Sequence, residues 1–151
     1  MKKSLLIILT FALLGFSSCE KEKETITETI DSSKPSGAFT ASKSGTLIAQ
    51  NGTPTAGTVK LGKDASGTFY FKLASNFITE LGTGTASVYL STSSTFVASP
   101  GSGNPDLQLV GIVKSNGEAF YKLASMPASK FTHVIIWCGS ANIPFGNAPL
   151  Q

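Results

Sequence analysis

Two cysteines, one histidine and nine carboxylates are the side chains of this sequence that could do chemistry, and their positions rule out most reactions. A single His, His133, cannot complete a two-His-plus-Cys copper site. One cysteine in the body of the chain, Cys138, cannot hold an iron–sulfur cluster or a structural zinc. No Cys-x-x-Cys-His run is present to attach a haem. The acids thin out to Asp64, Glu80, Asp106 and Glu118 beyond residue 37. Three of these, Asp64, Asp106 and Glu118, fall in or beside turn sequences far from one another, so no glycosidase pair is evident. A Ser/His/acid triad would have to use His133, and nothing singles out a nucleophile. The inventory points away from an enzyme acting alone, and it assigns no metal and no cofactor.

Cys138 is the remaining candidate, a redox thiol with Trp137 and Phe145 as candidate supports. It closes the run Val134-Ile135-Ile136-Trp137-Cys138, where a free cysteine can serve as a small buried hydrophobe. It also stands at a strand end, where partial exposure and a neighbouring cation or helix N-terminus would draw it toward thiolate. Both readings stay open on the residues. His133 lies an odd number of positions away, which in a regular strand puts the two side chains on opposite faces and prevents a shared ligand. Met126, before Pro127, reads as a gap-filler, and Trp137 as core mass that could also relay an electron.

The elements that must position Cys138 are strands. Phe131 to Leu150 holds a central strand buried on both faces, then a break at Gly139, Ser140 and Asn142, then an extended piece whose Pro144 belongs at an edge or a bulge. Upstream, a strand is expected within Ser42–Ala49, a turn at Asn51-Gly52-Thr53-Pro54, and a strand over Gly57–Leu61. A hairpin turn over Lys63–Gly67 leads to a strand over Thr68–Leu73, and another strand covers Ala86–Leu90. Ser99–Pro105 is the strongest loop signal. Leu107–Lys114 and Ala119–Leu123 flank Ser115-Asn116-Gly117 as a second hairpin, whose sequence echoes the first. No apolar stripe of helical period is sustained. The pattern defines an all-β domain, a single antiparallel β-sandwich or flattened, jelly-roll-like barrel.

Ahead of this domain, Lys2 and Lys3 precede an apolar run from Leu5 to Phe16 and the small residues Ser17-Ser18 before Cys19. That order is a lipoprotein signal, too short to span a bilayer as a mature helix. The organisation expected is a signal peptide over residues 1–18, a lipidated Cys19 with a flexible charged tether over 19–36, and a β domain over 37–151. Two or three acyl chains on Cys19, at about 0.8 kcal/mol per buried methylene, hold a protein to a membrane. The expected place is the cell envelope, at an outer membrane; the charged run after Cys19 resembles the surface-export signal of Bacteroidota lipoproteins and reads equally as a solvated spacer. Arginine is absent and the lysines are scattered, so a nucleic-acid partner is excluded.

Val134-Ile135-Ile136-Trp137-Cys138 followed by Ile143-Pro144-Phe145-Gly146-Asn147-Ala148-Pro149-Leu150 resembles the closing signature of the DM-thirteen (DM13) domain. That extracellular β-domain occurs in bacterial lipoproteins and in the animal cuticle proteins Skeletor and Knickkopf. Gly37-Ala38-Phe39, Ala56-Gly57-Thr58-Val59, Asn76-Phe77, Val88-Tyr89-Leu90-Ser91 and Gly111 through Tyr121 extend the likeness. The family's Pro-Asp-Leu before its central strand is replaced by Thr85-Ala86-Ser87, and its frequent basic residue after the Cys by Gly139. The resemblance implies a thiol-based redox or electron-transfer accessory working through Cys138 with a separate redox partner. The alternative is a non-catalytic cell-surface binding or adhesion module, using aromatic and Ser/Thr-rich loops, with Cys138 as a buried core residue.

Overall fold

The computed structural model describes residues 34–97 and 104–151. The expected signal peptide, Cys19, most of the tether and all of the Ser99–Pro105 loop but Asn104 and Pro105 lie outside the described residues. Among the described residues nine strands form two sheets, with every pairing antiparallel. Sheet A has the order β1 (Thr40–Thr46), β3 (Thr58–Lys63), β4 (Phe69–Leu73), β7 (Ala119–Leu123). Sheet B has the order β2 (Ile48–Ala49), β9 (Ile143–Pro149), β8 (His133–Cys138), β5 (Ala86–Ser91), β6 (Leu107–Ile112). Both sheets keep open edges, so the molecule is a sandwich and the flattened-barrel alternative falls away.

Alternation along each strand builds the core. Val59 and Leu61 of β3, Phe71 and Leu73 of β4 and Tyr121 of β7 are buried from sheet A, against Val88 and Leu90 of β5 and Val134 and Ile136 of β8. Each such side chain contributes roughly 1.5–3 kcal/mol by leaving water. Ile135, on the other face of β8, is buried as well, as expected for a central strand covered on both sides. Pro144 sits where the β8–β9 register slips between Ile136 and Trp137. That bulge accommodates a residue with no N–H to donate.

Two expectations are corrected. The single strand over Ser42–Ala49 is two, because buried Leu47 makes a corner between the sheets: Thr46 pairs with Thr58 in sheet A and Ile48 with Asn147 in sheet B. The second hairpin is not a hairpin. β6 pairs with β5, and β7 pairs with β4, so Ser115-Asn116-Gly117 carries the chain from one sheet to the other. The link is held by the β4–β5 connection: Thr79 N–H donates to Asn116 Oδ1 at 2.8 Å, and Gly117 N–H to the Phe77 carbonyl at 2.8 Å. A three-residue turn signal is the same whether the next strand pairs beside the last or crosses over; buried Val113 and Phe77 decide it here.

Candidate thiol site

β8 delivers Cys138 to one end of sheet B, opposite Ala86 of β5. Val134, Ile136 and Cys138 share the inward face, so the sulfur is reached from the core side of the sheet. Beyond it the chain reverses through Gly139–Asn142 into β9, with Cys138 paired to Ile143. Asn142 takes the left-handed conformation such a reversal needs, at φ 55°. The β4–β5 connection comes in over the same end. Gly84, at φ 67°, makes a bend that brings the hydroxyls on either side of it, Thr83 and Thr85, to one sulfur.

Four groups bond Cys138 Sγ. Thr83 Oγ1 lies at 3.4 Å, Ser140 Oγ at 3.4 Å and Thr85 Oγ1 at 3.5 Å, and the Ala141 N–H donates at 3.4 Å. The hydroxyls are ordered by a second layer of bonds: Ser140 N–H donates to Thr85 Oγ1 at 2.9 Å, and the one Thr85 hydroxyl proton is shared between Ser140 Oγ at 2.9 Å and the sulfur. With its oxygen so supplied, the Ser140 hydroxyl is set to donate onward to sulfur, a chain in which each bond strengthens the next. In the protonated state the thiol donates to Thr83 Oγ1. Rotation of that hydroxyl turns the same contact round for a thiolate.

Loss of hydration pushes the Cys138 thiol up, but the hydrogen bonds from Ser140, Thr83, Thr85 and the Ala141 amide outweigh it and hold the group down to about 6. All four partners are neutral. The cation or helix terminus expected to activate such a thiol is therefore replaced by a cradle of hydroxyls and one amide. Cys138 itself has 0% exposure, which corrects the picture of a partly exposed strand end. Thr83, Ser140 and Ala141 are exposed, so one layer of small residues separates the sulfur from water.

None of the other candidates is among the groups bonded to the sulfur. Trp137 turns to the outer face, stacked on Phe96 with ring centroids 3.8 Å apart and planes 13° apart, and Phe145 joins the buried core. His133 lies at the far end of β8, with Nδ1 2.9 Å from the Thr132 hydroxyl. Met126 is 38% exposed and fills no core gap. Among the described residues no three His, Cys, Asp or Glu side chains are grouped to hold a metal ion. The cradle residues Thr83, Thr85, Ser140 and Ala141 were missed by the sequence reading. Their one signal was the run of small and hydroxyl residues from Gly82 to Thr85 and at Gly139-Ser140, and nothing in it shows that these two loops meet.

An open antiparallel sandwich holding one acidified sulfur under its rim defines a small thiol-bearing β-domain. The family model described as Electron transfer DM13 matches residues 46–150, and the chain belongs to that family. Searches of the curated proteins and of solved structures gave no match.

Proposed function

We propose that this protein is an envelope lipoprotein, anchored through acyl chains on Cys19, whose DM13 domain carries electrons through the Cys138 thiolate. The family match supports the electron-transfer role, and the observation that carries the choice of sulfur is the set of four hydrogen bonds on Sγ. A thiol held near 6 is roughly nine-tenths ionised at neutral pH, where a free cysteine of pKa about 8.5 is ionised to a few per cent. The proton has then gone to water before the electron leaves. The thiolate gives one electron to a one-electron acceptor on a separate partner, and the resulting sulfur radical is restored by one electron from a donor. With no second cysteine in the domain, no internal disulfide can form, so the other redox group must come from a partner.

The alternative, a non-catalytic surface-binding module with Cys138 as core, is favoured by the absence of exposed surface on that residue. Thiol alkylation of the folded protein across pH separates the two. Half-maximal reactivity near pH 6 supports the redox reading, whereas no reaction until denaturant is added removes it. Mass spectrometry of the mature N-terminus tests the anchor: acylated Cys19 is expected, and is lost in Cys19→Ser.

A further inference from the structure

The end of the sandwich opposite Cys138 carries a cleft of about 350 Å³ between the segment leaving β5 and the one entering β6. β5 runs from Ala86, paired with Cys138, to Ser91, paired with His133, so roughly 17 Å of strand separates the cleft from the sulfur. Ser93, Thr95, Asn104 and Asp106 supply its polar lining, and Val97 and Leu107 its aliphatic wall.

The cleft is built before any ligand arrives. Ser93 Oγ accepts from Thr95 N–H at 3.3 Å and donates to the Thr95 carbonyl at 3.1 Å. Asn104 Oδ1 accepts from Asp106 N–H at 2.9 Å, and Thr92 N–H donates to the Asp106 carbonyl at 3.1 Å, joining the two walls. With the backbone held this way, the Thr95 hydroxyl and the Asp106 carboxylate have no partner among the described residues. A prebuilt site loses little ordering entropy on binding.

The lining selects the ligand by chemistry. An anion is disfavoured, because Asp106 contributes negative charge and no cation among the described residues lines the cleft; nearby Lys130 directs its ammonium to the Pro105 carbonyl. A single carboxylate is too little for a dedicated calcium site, which takes six to eight oxygen ligands. A lipid chain would leave the Thr95 hydroxyl and the Asp106 carboxylate against an apolar surface with nothing to bond. What fits is a neutral molecule that donates and accepts many hydrogen bonds and also has C–H faces. A sugar places two adjacent hydroxyls on a carboxylate and lays its ring against aliphatic side chains. The volume lies at the small end of ligand sites, about 300–1,000 Å³, which suits one or two rings.

We propose that this cleft binds a neutral sugar of one or two rings, independently of the chemistry at Cys138. The test is backbone-amide NMR of the intact protein in detergent, titrated to about 50 mM with glucose, galactose, mannose, N-acetylglucosamine, cellobiose and chitobiose. At least one is expected to saturate, shifting the amides of Ser93, Thr95 and Asp106 and leaving those of Ser140 and Ala141 in place. Thr95→Val and Asp106→Ala should each weaken it about tenfold or more, with unchanged melting temperature and unchanged Cys138 alkylation. The proposal is overturned if no sugar shifts these amides, if both variants bind as well as the parent, or if inorganic phosphate or calcium binds the cleft in preference to every sugar.

Discussion

Cys138 and Asp64 are the two acidic groups of this domain held by a ring of neutral donors, and the same device has different consequences in the two places. Asp64 closes the β3–β4 turn. Its carboxylate accepts from Ser66 N–H at 2.9 Å, Ser66 Oγ at 2.7 Å and Thr68 N–H at 2.9 Å, and from Ser36 N–H at 2.9 Å. The Ser66 hydroxyl is the main cause of a carboxyl held below its usual value; partial loss of hydration opposes it and the three amides add to it. A carboxylate is ionised at neutral pH with or without such help, so the cradle at Asp64 yields structure. It pins the chain at Ser36, where the expected tether would end, to the first hairpin. A thiol lies near its ionisation threshold, so a similar ring at Cys138 changes which species is present at neutral pH. Hydrogen-bond donors become chemistry only where the group they hold would otherwise be protonated.

The largest effect expected is on the thiol. Replacing Thr83 and Ser140 together by Val and Ala removes two of the four bonds, and the alkylation midpoint of Cys138 should rise by about one unit or more. The thiolate present at neutral pH would fall several-fold, and a midpoint that stays near 6 would show that the cradle does not set it. Next is the linkage of the same group to stability. Its folded value lies below the unfolded one, so the stabilisation is complete above about pH 8.5, declines as pH falls and is lost through about pH 6. Cys138→Ser should therefore melt closer to the parent at pH 6 than at pH 9; parallel melting curves at the two values would contradict this.

Asp64→Asn should lower the melting temperature while leaving the alkylation profile of Cys138 untouched, since the two rings share no residue. In the parent, the contribution of Asp64 is present above the ordinary carboxylate range. It is lost only as pH falls through its depressed folded value, so the gap in melting temperature between parent and Asp64→Asn should close below about pH 4. The smallest effect is at Trp137. Its ring lies across the sheet from the sulfur, so Trp137→Phe should leave the alkylation midpoint unchanged, and a displaced midpoint would show coupling through the backbone.

Much of the sandwich was legible because it rests on local signals. The apolar run of β8, the turn at Lys63–Gly67 and the restriction on Pro144 depend on side chains within a few residues of one another. The Leu47 corner and the crossover at Ser115-Asn116-Gly117 were not, because each depends on a partner strand far along the chain. The residues of the candidate site divide the same way. Cys138 stood out as the domain's one thiol, while Thr83 and Thr85, more than fifty positions earlier, carried no mark of reaching it.

The sequence by itself determined that the domain is all-β, that its reactive inventory is a single thiol, and that β8 would be its central strand, since composition and two-residue alternation suffice for each. Only the tertiary structure decided which loops close over the sulfur, that their groups are neutral, and that the thiol lies one layer below water. Hydrogen bonds between distant loops are fixed by strand order and register, and these are settled when the two sheets pack, not by any stretch of chain read alone.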